Sequence, residues 1–493
     1  MTANPSGAMA SSLRPIVAGF YPDPSVCRVG EDYYLAQSSF EFFPGVPLWH
    51  SRDLVTWEQV GHVITRTSQF EAGAYRPSMG IYAPTLRHHE GRFYLITTAV
   101  EGPDGHVLFT ADKPEGPWSD PVLIAGLDGF DPDIAWAEDG TCLVTYCAIS
   151  DWVPQGIHQA AIDSVTGEVL ETPRKVWAGS GLQWPEGPHI YQRGDWWYLV
   201  IAEGGTERGH AVTVARARTA QGPFEGAPHN PIFSHRSTSH PVENVGHSDL
   251  VERPDGSWAA VYLGVRTVGW VPRQHVNGRE TFLAGVEWAD DWPVFVEDAF
   301  TVPAPEHGFE EDFTHGIDHP RWISPGLPLV DFSEPMPGHG LALKPAQARS
   351  GTMSGIFTRT RDLFWDAQVT VDPVDGEVDV VLRMDERHWY AVRVSAGTAS
   401  AVVRIGDVEH QGASARVGDG PVHVGIRADV AQNRGPDDVV LTVEASDGIV
   451  ELGRYDGRYL SSEVAGGFTG RVLGVVARSG SPALQRFVYS PRG

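Results

Sequence analysis

Cysteine, positive charge and long apolar runs are all scarce in this chain of 493 residues. Its three cysteines, Cys27, Cys142 and Cys147, form neither a disulfide framework nor a metal-binding spacing, so we interpret them as small core residues in a reducing compartment. No stretch approaches the roughly 20 apolar residues that a membrane helix needs. The Ser/Ala/Gly-rich residues 1–14 lack the apolar core of a secretory signal. These absences predict a cytoplasmic protein with no membrane partner, and a disordered segment over residues 1–14.

Basic residues are outnumbered by acidic ones, 37 to 63, for a net charge of −26. Such a surface repels phosphate backbones, which excludes nucleic acid as a partner. The simplest role of the charge is to keep the protein soluble. At about 100–200 residues per domain, the length allows two to four domains.

Glycine, proline and tryptophan are abundant, with 55, 37 and 16 copies. A Gly turn followed by an aromatic, apolar strand recurs at intervals of 49 to 62 residues, at Gly30, Gly91, Gly140, Gly194 and Gly256. Periods of this size are typical of propellers, in which a blade of four strands takes about 40–50 residues. Five repeats predict a five-bladed β-propeller over residues 15–303.

The repeat ends at the Pro-rich segment Val302–Gly308. Residues 309–493 then carry alternating segments such as Val439–Val443, with turns between them and no helical period. This pattern predicts a β-sandwich, of the concanavalin A-like or jelly-roll kind, as an accessory domain. The predicted fold class is therefore all-β, with a propeller followed by a sandwich.

Polar residues precede the Gly turns at similar intervals, and they include Asp23, Asp131, Glu186 and His247. If each turn joins the first two strands of a blade, these residues lie on the innermost strands, which surround the channel. They should therefore converge on one axial site. Three carboxylates around one pocket suit glycoside hydrolysis, in which an acid protonates the leaving oxygen and a base activates water.

The neighbours of each carboxylate suggest its role. Glu186 lies in a stiff Pro- and Trp-rich turn where desolvation should raise its pKa, as a general acid requires. Asp23 lies between two prolines, a rigid mount for a base, and Asp131 could raise the pKa of Glu186 by repulsion. Arg279 would lower that pKa, so we expect it to hold sugar hydroxyls and to lie away from the acid's proton.

Each of these residues also has a purely structural interpretation. An Asp-Pro pair is often only a turn, and a single histidine such as His247 is more often a hydrogen-bonded core residue. Phe40, Tyr82 and Trp184 could stack on a sugar ring or simply fill the core. No residue set has metal-ligand spacing, so we expect no required cofactor, although a calcium ion or a water molecule in the channel near His247 is compatible with the sequence.

At these residues the sequence resembles glycoside hydrolase family 43, in its two-domain β-xylosidase type. The matching motifs are Gly19–Ser25, Ser38–Gly45, Gly129–Pro132, Glu186–His189, Gly246–Leu250, Arg279–Phe282 and, near the C-terminus, Ala465–Gly470. The resemblance implies a five-bladed propeller, inversion at the anomeric carbon, and release of xylose from the non-reducing ends of short β-1,4-xylooligosaccharides, often with α-L-arabinofuranosidase activity.

The resemblance also implies a role for individual residues. Asp23 matches the base, Asp131 the residue that modulates the acid's pKa, and Glu186 the acid. His247 matches the axial histidine, Arg279 a substrate-binding residue, and Phe468 a sandwich residue that helps to close the pocket. Tyr82 stands where the family often has Trp, which leaves the choice of sugar open.

Several alternatives remain. The enzyme could act mainly as an α-L-arabinofuranosidase, or as a retaining propeller fructosidase, although the entry motif of that group is absent. It could also be a non-catalytic carbohydrate-binding protein or a lectin-like scaffold. The expected partner is a small oligosaccharide substrate, and a homo-oligomer is compatible with the sequence.

Overall fold

The computed structural model describes residues 7–150, 153–374, 376–395 and 397–492. It is almost entirely β-structure, as predicted. The first 302 residues contain β1 (Met9–Ala10), β2 (Ser25–Val29), β3 (Asp32–Ala36), β4 (Phe42–Phe43), β5 (Gly45–Ser51), β6 (Glu58–Ile64), a 3-10 turn (Ala72–Ala74), β7 (Gly80–Ile81), β8 (Thr85–His89), β9 (Arg92–Thr97), β10 (Ala99–Val100), β11 (His106–Ala111), β12 (Val122–Ile124), β13 (Gly129–Trp136), β14 (Cys142–Ser150), β15 (Val153–Ile162), β16 (Arg174–Trp177), β17 (Glu186–Arg193), β18 (Trp196–Glu203), β19 (Ala211–Ala217), β20 (Glu225–Gly226), β21 (Val242–Glu252), β22 (Trp258–Arg266), β23 (Glu280–Ala289), β24 (Trp292–Val296) and β25 (Thr301–Val302).

Twenty of these strands form five four-stranded antiparallel sheets, which are the five predicted blades. Their strand orders are β2-β3-β5-β6, β8-β9-β11-β12, β13-β14-β15-β16, β17-β18-β19-β20 and β21-β22-β23-β24. The five repeated glycines lie between the first two strands of their blades, and each has a positive φ that suits a tight turn. The recurring Gly turn therefore marks the innermost hairpin of every blade.

The N-terminal segment differs from the sequence prediction. Residues 1–6 lie outside the described residues, but β1 pairs with β25, and the hydroxyls of Ser11 and Ser12 donate to the Glu297 carbonyl and to the Asp298 carboxylate. Both serines are buried. The predicted disorder over residues 1–14 is therefore wrong from Met9 onward, because backbone pairing orders a segment whose composition alone predicts no structure.

The chain continues into two further sheets. Residues 303–492 contain β26 (Phe309–Glu311), β27 (Ser324–Pro325), a 3-10 turn (Leu329–Asp331), β28 (Ser333–Met336), β29 (Gly340–Leu343), β30 (Ile356–Arg359), β31 (Trp365–Asp372), β32 (Glu377–Arg383), β33 (His388–Ser395), β34 (Thr398–Ile405), β35 (Val408–Arg416), β36 (Val422–Asp429), β37 (Asp438–Ala445), β38 (Gly448–Asp456), a 3-10 turn (Gly457–Leu460), α1 (Ser462–Ala465), β39 (Val472–Ser479) and β40 (Ala483–Pro491). An eight-stranded sheet runs β28-β29-β40-β31-β36-β37-β38, with β26 also paired to β40, and a six-stranded sheet runs β30-β39-β32-β33-β34-β35.

The two sheets enclose one large apolar core, the packing of a β-sandwich. The six-stranded sheet uses its other face to contact the propeller, where Phe357 and Val476 pack with Phe20 and Phe42. The short strands β27 and β4 pair across the same boundary. The sandwich is therefore docked beside the segment Phe40–Phe43, which leads into the predicted site.

The three cysteines have the predicted structural role. Cys27, Cys142 and Cys147 are buried free thiols, and burial is the main cause that raises the pKa of the Cys27 and Cys142 thiols to about 12. They are therefore protonated core residues under ordinary conditions.

Candidate active site

The predicted site residues lie where the innermost strands lose their regular register. The pairing of β13 with β14 shifts between Phe130 and Asp133, and that of β17 with β18 shifts between Glu186 and His189. The pairing of β21 with β22 shifts on both sides of Gly246. Such irregularities re-aim side chains next to functional sites. Here they turn Asp131, Glu186 and His247 toward a common pocket.

Positive φ values accompany these shifts. The φ angles are 55° at Asp23, 52° at Asp131 and 49° at His247. Left-handed backbone is uncommon for residues with a side chain, and it persists where the surrounding structure stabilises it. Three of the four residues predicted to face the channel therefore have a strained backbone.

Asp23 lies two residues before β2 and is buried, with both carboxylate oxygens bonded. Ser38 donates to Oδ2 at 2.5 Å, and Arg279 donates to Oδ1 at 2.8 Å and to Oδ2 at 3.3 Å. His247 Nδ1 lies 3.7 Å from Oδ1. Burial raises the pKa of Asp23, but Arg279, His247 and Ser38 outweigh it and hold the pKa below its usual value. Asp23 is therefore an anion at neutral pH.

Glu186 and Asp131 titrate in the opposite direction. Asp131 is buried, whereas Glu186 at the start of β17 is partly exposed and reaches the pocket. Desolvation is the main cause that raises the pKa of Glu186 to about 7, and the charge of Asp23 adds to it while Arg279 opposes it. Burial, followed by repulsion from Glu186 and Asp23, raises the pKa of Asp131 well above its usual value. The pKa values of both carboxyl groups are therefore raised, and the predicted repulsion between Asp131 and Glu186 contributes to this.

Arg279 bonds to Asp23 rather than to Glu186, and it opposes the rise in the pKa of Glu186, as the sequence interpretation expected. Its guanidinium is bound to Asp23, and Nη1 also donates to Thr206 Oγ1 at 3.2 Å. The group also lies over the ring of Phe468, with Cζ 5.4 Å from the centroid. Arg279 thus joins the carboxylate cluster to the sandwich.

His247 packs directly behind the Glu186 backbone. A Cβ atom added to Gly187 would lie 2.9 Å from Cε1 and Nε2 of the imidazole. Burial is the main cause that lowers the pKa of His247 to about 3, so its ring is neutral. Calcium requires six to eight oxygen ligands, but the oxygens of Asp23 beside His247 already accept from Arg279 and Ser38. These residues therefore fit a calcium ion poorly.

Aromatic rings form one wall of the pocket. Phe468 from the loop after α1 stacks on Phe40, with centroids 6.1 Å apart, and contacts Tyr82 edge-on at 5.8 Å. Tyr82 also meets Phe130 at 6.1 Å. Two of the three predicted stacking residues are thus brought together with the predicted sandwich residue. Phe130 is a further member that the sequence interpretation did not single out.

Trp184 is not brought into this wall. Its φ is 54°, and its side chain is 51% exposed beside Leu182 and Pro185 in a separate surface cleft. The chain turns at Trp184, so Glu186 reaches the pocket while the indole stays at the surface. The structure thus gives no support to a stacking role for Trp184.

A cleft of about 430 Å³ lies between propeller and sandwich, and it meets the pocket at Arg279 and Phe468. Its propeller side includes Thr206, Arg208 and Arg279, and its sandwich side includes Glu463 and Phe468. Both parts of the chain line the cleft, and both contribute polar side chains to it. This arrangement suits a hydroxyl-rich ligand.

An arginine that the sequence interpretation did not single out fills the propeller axis. Arg87 on β8 donates to Asp249 Oδ2 at 2.8 Å and to Asp133 Oδ1 at 2.9 Å, and it lies 3.0 Å from His189 Nδ1. Asp249 also accepts from Ser25 at 2.7 Å. These five residues come from five different blades. A single guanidinium therefore joins the whole ring beneath the site.

His210 is a second residue that was missed. A Cβ atom at Gly246 would lie 2.4 Å from its Cε1, so the ring packs against the strand that carries His247. Nδ1 lies 2.9 Å from the Asn244 carbonyl oxygen, and burial is the main cause that lowers the pKa of His210 to about 4. No sequence signal marks either residue, because their partners lie on other strands.

Comparison with known families agrees with this geometry. Residues 12–293 match the family model "Glycosyl hydrolases family 43". Residues 345–486 match the model "Beta xylosidase C-terminal Concanavalin A-like domain".

Individual relatives extend the match over the whole chain. A non-reducing end α-L-arabinofuranosidase of Bacteroides ovatus is 36% identical, with an alignment that spans 98% of this chain and 94% of the relative. A xylosidase/arabinosidase of Butyrivibrio fibrisolvens is 39% identical over 62% of each chain.

The solved structures agree with these matches. The crystal structure of a xylan β-1,4-xylosidase of Bacillus halodurans matches with a TM-score of 0.87 and 28% identity, over 97% of this chain and 99% of that one. The chain therefore belongs to glycosyl hydrolase family 43, and it carries the concanavalin A-like domain of the β-xylosidases at its C-terminal end.

Proposed function

We propose that this protein is an inverting, exo-acting glycoside hydrolase that releases xylose from the non-reducing ends of short β-1,4-xylooligosaccharides and also accepts α-L-arabinofuranosides. The observation that carries the proposal is a single pocket in which the pKa of Asp23 is lowered and that of Glu186 is raised. Two carboxyl groups whose pKa values are pushed apart can serve as base and acid in one reaction.

The proposed reaction has one displacement step. Asp23, which Arg279 and Ser38 hold as an anion, takes a proton from a water molecule whose oxygen attacks the anomeric carbon. Glu186 gives its proton to the glycosidic oxygen as the bond to the leaving sugar breaks. The product has the opposite anomeric configuration. Asp23 ends protonated and Glu186 ionised, and exchange with solvent restores both.

Asp131 has a supporting role in this proposal. Its raised pKa keeps it protonated while Asp23 is charged, so the pocket holds one anion opposite the cation of Arg279. A second buried anion beside Glu186 would raise the pKa of the acid further and weaken its proton transfer. The backbone N–H of Gly187, the residue next to the acid, acts in the opposite direction and lowers the pKa of Asp131.

The proposed substrate class follows from the relatives and the pocket wall. Relatives named α-L-arabinofuranosidase and xylosidase/arabinosidase align with this chain. The rings of Tyr82 and Phe468, with the buried ring of Phe40 packed against them, would border a pentose ring, which has no exocyclic hydroxymethyl group in its pyranose form.

A panel of nitrophenyl glycosides tests the activity, with the β-xyloside and the α-L-arabinofuranoside compared by kcat/KM. NMR of the first-formed sugar tests the stereochemistry, and a retained anomer would exclude direct attack by water. Glu186→Ala should lose several orders of magnitude on a substrate with a poor leaving group and much less on an activated one. Equal losses on both would contradict the acid assignment.

The main alternative is a dedicated α-L-arabinofuranosidase, the name of the Bacteroides ovatus relative that aligns with 98% of this chain. A kcat/KM at least tenfold higher on the arabinofuranoside would support it. A non-catalytic carbohydrate-binding protein would bind the same sugars without releasing nitrophenol.

We further propose a cytoplasmic role in xylan degradation that requires no cofactor. Chelation should then leave kcat unchanged, and cell fractionation should find the activity with the soluble cytoplasmic proteins. No helix among the residues that the structure describes is long and apolar enough to cross a membrane.

A further inference from the structure

Glu41 is a buried carboxyl group that takes no part in the proposed reaction. It lies between Phe40 and Phe42 and is 1% exposed. Its Oε2 accepts the backbone N–H of Ser78 at 2.9 Å, and its carbonyl oxygen accepts the N–H of Gly326 from the sandwich side at 3.0 Å. An acidic residue in this position needs an explanation, because a carboxyl group is costly to bury.

Ser78 connects Glu41 to the aromatic wall. Its own φ is 64°, a backbone shape that the bond to Glu41 helps to hold. Its hydroxyl accepts the backbone N–H of Phe468 at 2.9 Å. Phe468 in turn stacks on Phe40, the residue next to Glu41. The contacts thus run from Glu41 through Ser78 to Phe468 and return through Phe40.

The fit of the sandwich loop to Ser78 is close. A Cβ atom at Gly467 would lie 2.4 Å from Ser78 Oγ, so only glycine fits while the hydroxyl stays in place. Phe468 follows two glycines of positive φ, Gly466 and Gly467, and its backbone N–H bonds to the propeller at Ser78. The position of its ring is therefore set from the propeller side.

The charge state of Glu41 agrees with a structural hydrogen-bond role. Burial, followed by repulsion from Glu386 and opposed by Arg383, raises the pKa of Glu41 to about 8. Both of those charged groups belong to the sandwich strand β32 and the turn after it. Near pH 7 the side chain is a neutral acid, and glutamine would reproduce its shape and its acceptor.

We propose that Glu41 and Ser78 are positioning residues that hold Phe468 against the sugar-binding pocket, and that they set substrate affinity through that ring. The proposal rests on the proposed hydrolase activity. It explains how a propeller residue outside the pocket controls the part of the pocket that the sandwich supplies.

A double-mutant cycle tests the coupling. Ser78→Ala removes the acceptor for the Phe468 N–H, and we expect KM for the nitrophenyl substrate to rise about two- to tenfold with little change in kcat, the size of one lost hydrogen bond. Phe468→Ala should raise KM at least as much. If Ser78 acts through Phe468, adding Ser78→Ala to Phe468→Ala should change KM no further. A double variant whose KM rises by the product of the two single-variant factors would overturn the proposal.

Changes on the sandwich side give an independent test that does not depend on how Ser78→Ala folds. Gly467→Ala should raise KM like Ser78→Ala, because the new methyl group meets Ser78 Oγ. Gly466→Ala is the matched control, since its φ of 77° is close to the 81° of Gly467 but its Cβ would meet nothing within 4 Å. Equal KM values for the two glycine variants would contradict the proposal.

Two substitutions of Glu41 test whether this residue positions Phe468 or only stabilises the fold. Glu41→Gln should keep the wild-type KM, whereas Glu41→Ala should raise it as Ser78→Ala does. A purely structural role would lower the melting temperature of Glu41→Ala and leave its KM unchanged. Absence of turnover by the unmodified protein on every glycoside would refute the proposed function instead, so the two failures are distinguishable.

Discussion

Replacing Gly187 with alanine tests whether the backbone next to the acid is fitted to His247. Gly187 follows Glu186 directly and has a φ of 55°. The new Cβ would lie 2.9 Å from two atoms of the imidazole. His247 is buried and faces Asp23, so its ring cannot move without shifting β21 or the base. The alternative is that β17 moves and carries Glu186 with it.

The expected loss of stability has two parts. A side chain at positive φ costs about 1–2 kcal/mol. Overpacking a buried site by one methyl group costs about 1–3 kcal/mol more. The free energy of unfolding should therefore fall by about 2–5 kcal/mol. Because a displacement of about 1 Å can cost about a hundredfold in rate, we expect kcat to fall by about that factor.

Gly194 provides the matched control for this experiment. Its φ is 58°, nearly that of Gly187, but an added Cβ would meet nothing within 4 Å. Gly194→Ala should therefore lower the free energy of unfolding only by the cost of a side chain at positive φ, and it should leave kcat unchanged. Urea unfolding and kcat on the best nitrophenyl glycoside measure both quantities. Equal losses in Gly187→Ala and Gly194→Ala would refute the reasoning from the contact with His247.

Three further predictions concern charge. Glu186 must be protonated and Asp23 ionised for turnover. The pH profile of kcat/KM should therefore fall above about pH 7, as Glu186 loses its proton, and its fall on the acid side should lie below the usual Asp pKa of 3.8, because the pKa of Asp23 is lowered. A kcat/KM that still rises at about pH 9 would contradict this. Ser38→Ala removes a hydrogen bond to a charged group, which contributes about 1.5–3 kcal/mol, so the acid limb should move up by about one to two pH units. Arg87→Met leaves Asp249 and its partners buried without their cation, so urea unfolding should show a loss of about 3–5 kcal/mol, and a stability equal to wild type would refute the axial role.

Much of this architecture could be predicted because its signals are local. Each blade begins with the same hairpin, and a tight turn such as that at Gly30 or Gly194 requires a residue that tolerates positive φ. Once the turns are located, the residues before them fall on the channel by geometry alone. Asp23, Asp131 and Glu186 were identified in this way.

What could not be predicted depends on contacts between distant parts of the chain. Arg87 looks like an ordinary charged residue within a strand, and its acidic partners lie on other blades. The ion pair of Arg279 with Asp23 joins residues that are 256 positions apart. The outward position of Trp184 depends on its φ, which composition does not fix. No periodicity encodes contacts of this kind.

The ion pair between Asp23 and Arg279 also has a consequence for biosynthesis. Asp23 precedes the first blade and Arg279 lies in the last, so the pair spans the seam where the ring closes, beside the bond from the Gly19 N–H to Glu280 at 2.8 Å. A ribosome-bound chain cannot hold its base in the ionised, oriented state until both ends of the ring have emerged, and the ring of Phe468 arrives later still. Chains that terminate before residue 279 therefore lack the partner that orients the base, and chains that terminate before residue 468 lack the aromatic ring that the sandwich adds to the pocket.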